Sequence, residues 1–207
     1  MGNTRLDEQY RTIKAPAEGG YSERKSKFLS FAIPIECEAD VTQALQALRK
    51  RFYDARHICW AYRIGKGEPI ERMNDDGEPS STAGKPILGQ IVSRDLTEVL
   101  VAVVRYFGGI KLGTSGLINA YREAASDCLN ASQVVEVILY TEYEISFPFD
   151  LINHVMMLLR AVSAETIISD ATAEGHLWRI KIANSKVYDF EEKAKALYQM
   201  NVKVISN

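Results

Sequence analysis

The chain is poor in the residues that build covalent or metal-held scaffolds. Its 207 residues include three cysteines and three histidines. Cys37, Cys59 and Cys128 are odd in number and form no CxxC pair, which argues against a disulfide framework or a zinc knuckle. Cys59 and Cys128 sit among apolar neighbours and read as small buried hydrophobes. The formal net charge is −2, so the chain lacks the bulk positive field of a nonspecific nucleic-acid or membrane binder. No run approaches eighteen apolar residues, and no transmembrane helix is expected. The opening MGNTRLDEQY lacks the apolar core of a signal peptide, and Leu6 stands where a myristoylation motif needs Ser or Thr. GxSxG, HExxH and local Cys–His signatures are missing too. These gaps point to a soluble protein of the reducing cytoplasm, without membrane attachment, metal or cofactor.

What is present is a globular composition, with 46% hydrophobic residues, enough for a real core. Lys27–Ile35 reads as a strand. Asp40 is expected to cap a helix carrying Val41, Ala44, Leu45, Leu48 and Phe52 at helical spacing. From His57 to Ile64 the residues alternate: Ile58, Trp60, Tyr62 and Ile64 on one face, His57, Cys59, Ala61 and Arg63 on the other. A polar, turn-rich segment, ERMNDDGEPSSTAGKP, follows, then a short helix over Ile87–Val92. Thr97–Phe107 is apolar on both faces, as in a central strand. The next helix buries Leu117, Tyr121, Ala124 and Cys128 along one stripe. From Val135 to Phe147 alternation predicts one long strand with a wet face. Asp150 is expected to cap a helix, two strands and a second helix follow, and Val202–Ile205 closes the chain. The order β-α-β-β-α-β is ferredoxin-like. The fold class is therefore α+β in two domains, 1–132 and 133–207. The first holds 18 Lys/Arg against 17 Asp/Glu, the second 7 against 10, so an anion-binding surface is expected to be local and in the first domain.

Two stretches carry chemistry. RYFGGIKLGTSGLINAYREAA, Arg105–Ala125, reads as strand end, glycine-rich loop and helix start. Gly108 and Gly113 are spaced as in a Walker A loop, but Gly113 is followed by Thr114, and the nearby lysine, Lys111, lies inside the loop. A nucleotide-hydrolysing P-loop is rejected on that ground. What survives is a helix start with unpaired N–H groups, glycines 108, 109 and 113 that admit a close ligand, and Arg105 and Lys111 beside it. Thr114 or Ser115 is expected to cap the helix. The competing reading is a turn that only lets strand and helix pack closely. Spacing leaves both standing. The second stretch, NDDGEPSSTAGKP (Asn74–Pro86), offers Asp75, Asp76, Glu78 and Lys85. Its spacing is not that of an EF-hand. Its acids are open to three readings: general acid and base, turn caps, or ion-pair partners of Arg105 or Lys85. His57 opens its strand and is the best single histidine candidate.

Asp75-Asp76-Gly77-Glu78-Pro79, Thr82-Ala83-Gly84-Lys85-Pro86, Arg105-Tyr106-Phe107-Gly108-Gly109 and Leu112-Gly113-Thr114, together with Ala55–Tyr62 (ARHICWAY), resemble the bacterial YigZ branch of the IMPACT family. The resemblance implies a first domain like the second domain of a small-subunit ribosomal protein, with a four-stranded sheet packed on helices. It implies a second domain similar to the late domains of elongation factor G. Both relatives belong to translation. Eukaryotic members of that family restrain a starvation-sensing translation kinase by competing for its ribosome-associated activator. No settled enzymatic activity belongs to the bacterial branch. Ser81 and Ser115 stand where the family often has glycine; at a positive φ either would cost about 1 kcal/mol.

The expected function is that of a noncatalytic translation regulator binding RNA, the ribosome or a translation-related protein. The expected binding residues are His57, Asp76, Glu78, Thr82, Lys85, Arg105, Tyr106, Gly108, Gly109, Lys111, Gly113 and Thr114, with Arg56 and Arg63 adding charge and Trp60, Tyr62 and Tyr106 available to stack on bases, core packing being the favoured role of Trp60. One alternative is an enzyme acting on a small phosphorylated or acidic substrate in the same cleft. A third reading is a protein–protein adaptor using the second domain's wet sheet face, where Ile138 and Tyr140 interrupt Glu136, Glu142 and Glu144.

Overall fold

The computed structural model describes residues 8–206. The N-terminal stretch through Asp7, on which the reading of leader and lipidation motifs rests, lies outside the described residues. The described residues divide into two compact units, Tyr10–Val137 and a second of residues 138–206 together with Glu8 and Gln9.

Strands β1 (Gln9–Ile13) and β7 (Val134–Ile138) pair as a two-stranded ribbon. The main sheet has five strands: β2 (Ala17–Glu23), β3 (Ser26–Pro34), β4 (His57–Ile64), β5 (Ile70–Asn74) and β6 (Val99–Tyr106), in the order β2-β3-β6-β4-β5. All four pairings are antiparallel. The helices are α1 (Glu38–Arg51), α2 (Gly84–Ser93) and α3 (Gly113–Ala131). The central strand is β6, whose residues Val99–Arg105 are all buried, as its two apolar faces predict. Val99, Val101 and Val103 join Cys59 and Ala61 of β4 in the core shared with α2 and α3. Leu100, Ala102 and Val104 face Val41 and Leu48 of α1 instead. Strand alternation therefore sorts every side chain of β4 and β6 to one of two helical layers.

Four expectations are corrected here. The resemblance implies four strands, and the sheet has five. The added edge strand β5 is exposed at every position, so it carries no alternation, and it lies in the segment read as turns. Asp40 is not the N-cap of α1 but its third residue; its carboxylate accepts from the Glu36 and Cys37 amides at 2.8 and 3.1 Å, reaching back as capping-box acids do. Likewise Asp150 lies in a single 3₁₀ turn, Phe149–Leu151, ahead of the next helix. The long strand breaks at Leu139, whose N–H donates to the Glu8 carbonyl and whose carbonyl accepts from Asn184. Its backbone groups are thereby withdrawn from strand pairing.

The second unit comprises β8 (Tyr140–Phe147), α4 (Ile152–Ala161), β9 (Glu165–Ala171), β10 (His176–Ala183), α5 (Asn184–Lys195) and β11 (Asn201–Ser206). Its antiparallel sheet runs β11-β8-β10-β9. In the unit's own strand numbers this is 4-1-3-2, the ferredoxin-like arrangement. Tyr143, Ile145 and Phe147 of β8 and Trp178, Ile180 and Ile182 of β10 form its core with both helices. Tyr140, Glu142 and Glu144 alternate with those core positions and face away. Ile138 belongs to the β1–β7 ribbon and not to this sheet, so the apolar pair expected on one wet face is split.

Candidate functional site

The acidic loop after β5 is held by its own carboxylates. Asp75 accepts the amides of Ser81 (2.8 Å), Ala83 (3.0 Å) and Gly84 (2.8 Å). It caps the N-terminus of α2 from outside that helix, where the dipole favours a negative charge. Asp76 accepts from Arg49 Nη2 at 2.7 Å and from the Ile58 amide at 2.6 Å. Its carbonyl lies 2.7 Å from His57 Nδ1. Because that partner is an acceptor, Nδ1 carries the proton, and Nε2 is the nitrogen left for other work. Asp76, Gly77 and Ser81 all have positive φ. Ser81 therefore occupies the left-handed position the family comparison anticipated, with its amide anchored on Asp75. Ser115 does not: it lies in the first turn of α3. Thr82 is buried, and its hydroxyl donates to the Pro79 carbonyl at 2.6 Å.

Glu78 leaves this loop for the interior. Its Oε1 accepts from Arg105 Nη1 at 2.5 Å and from the Tyr121 hydroxyl at 2.8 Å. The side chains of Arg105 and Glu78 are 8% and 4% exposed. A charge pair so deeply desolvated is strong only when both partners stay. Below it, Cys59 Sγ lies 3.3 Å from the Tyr121 hydroxyl and 3.0 Å from the Asp75 carbonyl. Burial pushes the Cys59 thiol up to about 12 and raises Tyr121 as well, so both stay protonated as donors. Phe28, Arg105 and His57 form one cross-strand row of β3, β6 and β4, on the side facing α3.

In the glycine loop the three glycines do different things. A Cβ on Gly108 would fall 2.1 Å from the Lys25 carbonyl carbon and 2.3 Å from the Ser26 nitrogen. That glycine exists for close approach to the β2–β3 turn. Gly109 and Gly113 have φ of +89° and +72° with open space around the missing Cβ, so they serve the turn itself. Helix α3 begins at Gly113, with Leu112 at its N-cap and no side-chain cap. Thr114 and Ser115 therefore fall inside the first turn, correcting their expected role as caps. No protein acceptor meets the amides of Gly113, Thr114 or Ser115 among the described residues.

These parts surround a concave pocket of about 610 Å³. Six of the expected residues line it: His57, Glu78, Arg105, Lys111, Gly113 and Thr114. Arg56 joins them, and Pro79, Phe107, Leu112 and Leu117 supply apolar wall. Arg56 and Lys111 are exposed, and neither has an ion-pair partner among the described residues. Gly108 and Gly109 shape the loop without lining the pocket, and Asp76, Thr82 and Lys85 stay outside it. Tyr106 points to the opposite sheet face, where its hydroxyl donates to Asp54 at 2.7 Å. Trp60 and Tyr62 are on that face too, stacked on each other at 5.7 Å beside α1. Trp60 thus packs, as the sequence favours for it, and Tyr62 and Tyr106, offered for base stacking, lie on the face away from the pocket. Phe107, outside the expected binding set, is 60% exposed at the pocket; its place beside two glycines at a strand end is the signal the sequence carries for it. No group of three or more His, Cys, Asp or Glu placed to hold a metal occurs among the described residues. No described helix is long and apolar enough to cross a membrane.

The chain is similar to known proteins over both its sequence and its fold. The Impact N-terminal domain family matches residues 24–129, which contain the whole pocket. The IMPACT family member YvyE of Bacillus subtilis (strain 168) is 42% identical over 127 residues, 61% of this chain and 58% of that protein. The chain thus aligns with little more than half of that relative's length. The IMPACT family member YigZ of Escherichia coli (strain K12) is 31% identical over 172 residues, 82% of this chain and 84% of that one. A crystal structure described as that of a hypothetical protein superposes with a TM-score of 0.66 at 28% identity, covering 97% of this chain and 98% of the other.

Proposed function

The chain belongs to the IMPACT family, and from that premise we propose that it is a cytoplasmic, noncatalytic regulator of translation that binds RNA or the ribosome through the pocket of its first unit. Family membership supports the translation-related role. The observation that carries the binding role is the unfilled α3 terminus, with three amides lacking acceptors beside Arg105, Lys111 and Arg56. A backbone phosphate satisfies these donors and the helix dipole together. The formal charge of −2 restricts such binding to this locality and gives it modest strength. Affinity for RNA falls as salt rises, with a slope set by few phosphate contacts.

The test compares RNA affinity of the wild type with that of an Arg56→Ala/Lys111→Ala double variant. Both side chains are exposed, so the fold is retained. The expected result is weaker binding and a salt slope lower by about two. Unchanged affinity and slope would remove the pocket from RNA binding.

One observation favours a second reading, an enzyme acting on a small phosphorylated or acidic substrate. The pocket is concave, and it brings His57 and Glu78 together with the glycine loop. His57 has its Nδ1 anchored on a carbonyl, the arrangement that leaves Nε2 to exchange a proton. Against it, Glu78 already holds Arg105 and Tyr121, and Asp75 and Asp76 are engaged outside the pocket. Turnover of phosphorylated small molecules that disappears in His57→Gln would establish this reading in place of the first.

A further inference from the structure

Resting on the anion-binding reading of this pocket, we propose that its ligand is a nucleotide ending in a phosphomonoester, seated with the phosphate on Arg105 and the α3 terminus and its ring against Phe107.

The first ground is the state of the Arg105 guanidinium. Nη1 is taken by Glu78, which Tyr121 holds in turn. Nε is buried without a partner. Nη2 has no protein acceptor and is not among the atoms sealed from solvent. Nε–H and one Nη2–H point along the same edge of a guanidinium, the edge that takes two oxygens of a phosphate or carboxylate side by side. Glu78 fixes one nitrogen and Nε is sealed from solvent, so of that edge Nη2 is the donor open to a ligand, in a side chain more than nine-tenths buried. This ground is independent of the helix terminus, and both border one pocket.

The second ground is charge. Arg105 and Glu78 offset each other, so Arg56 and Lys111 remain as two cations in excess at the lining. An internal phosphodiester carries one negative charge. A phosphomonoester carries about −1.5 to −2 near neutral pH and three terminal oxygens. The second matches two cations, the open Nη2 of Arg105 and three amides. The third ground is the wall. Phe107 is mostly exposed yet borders the pocket with Leu112 and Leu117, an apolar surface that inorganic phosphate leaves uncovered. Base stacking on an aromatic ring is worth about 1–3 kcal/mol. A volume of about 610 Å³ lies within the range of small-ligand sites.

A free mononucleotide and the phosphorylated end of an RNA chain share this chemistry. The experiment separates them by measuring affinities of the full chain for AMP, adenosine, inorganic phosphate, and one short single-stranded RNA prepared with hydroxyl ends, with a 5′-phosphate and with a 3′-phosphate. AMP is expected to bind at least about tenfold more tightly than adenosine or phosphate, the scale of one charge-assisted contact. A terminal phosphate at one end is expected to strengthen RNA binding by a similar factor if the source is RNA. AMP binding without any effect of RNA ends would assign the site to the free nucleotide. Phe107→Ala and Lys111→Ala, both at exposed positions, are each expected to abolish most of the advantage. Equal binding of all RNA forms with no AMP binding would overturn the phosphomonoester proposal while leaving RNA binding intact. Failure to bind AMP or any RNA would overturn both.

Discussion

Two loops of the first unit meet at the pocket, and they treat their polar groups in opposite ways. The acidic loop, Asn74–Ala83, has its carboxylates matched inside the protein: Asp75 to three amides, Asp76 to Arg49 and the Ile58 amide, Glu78 to Arg105 and Tyr121. In the glycine loop the Gly108 amide is held by Ser26 Oγ at 3.1 Å, but at the start of the next helix the amides of Gly113, Thr114 and Ser115 meet no acceptor among the described residues. Read as residues, the acidic loop has more of the groups that perform chemistry. Read as a structure, it is a brace. Its acceptors organise the surroundings, and the surplus of donors beside it is what an anion would find. A buried polar group with a partner contributes to one fixed conformation, whereas an unmatched donor at a pocket is available to a ligand.

The strongest way to break this contrast is to unbrace the pocket. Glu78→Ala leaves the Arg105 charge buried and unpaired, and the expected loss of stability is about 3–5 kcal/mol in urea unfolding. Glu78→Gln keeps an oxygen acceptor and is expected to lose less. A cost below about 1 kcal/mol for the alanine would mean that the pair does not brace the site. Next in size is Gly108→Ala. Its Cβ would meet main-chain atoms at 2.1–2.4 Å, and about 3 kcal/mol is expected because backbone yields less readily than side chain. Gly109→Ala, with open space and φ of +89°, is expected to cost about 1 kcal/mol. Equal effects at the two glycines would contradict the separate roles given to them.

Asp75→Ala removes the acceptor of three amides at the start of α2, and about 2 kcal/mol of thermal or urea stability is expected to go with it. Its effect on RNA affinity is expected to be secondary to that loss. Lys111→Ala should behave in the reverse manner. Unfolding is expected to move by no more than about 0.5 kcal/mol, while the salt slope of RNA binding falls by about one. If Lys111→Ala destabilised the fold and spared binding, the contrast between brace and binding loop would be inverted.

Much of the scaffold was legible. The two-faced apolar run of β6, the alternation of β4 and the stripe of α3 each survive as read, because burial imposes a period on the chain that composition cannot hide. In the second unit β8 and β10 were legible for the same reason, while the edge strands β9 and β11, exposed at every position, were marked by their β-branched residues and flanking turns. Strand β5 was not, since it is exposed at every position and its mostly polar residues, IERMN, run on into the turn-rich segment that follows. The caps of α1 and α3 were misplaced by a few residues, because Asp, Thr and Ser serve the first turn as well as the cap. In the site, the glycine loop, Arg105, Lys111, His57 and Glu78 were all singled out, while Tyr121 was seen only as part of a helix stripe. Its hydroxyl at the end of a buried ring is invisible to a periodicity argument.

By itself the sequence settled where strands and helices can lie and which positions must lack a side chain, because those properties depend on near neighbours in the chain. Only the tertiary structure decided which charged groups have partners. Glu78 meets Arg105 across 27 residues and Tyr121 across 43; the sequence offered Arg105 as one possible partner of the acids, but nothing local selected Glu78 among them or brought in Tyr121. Electrostatic and hydrogen-bond satisfaction is a matter of distance in space, and it was the leftover from that matching, at the start of α3, that defined the site.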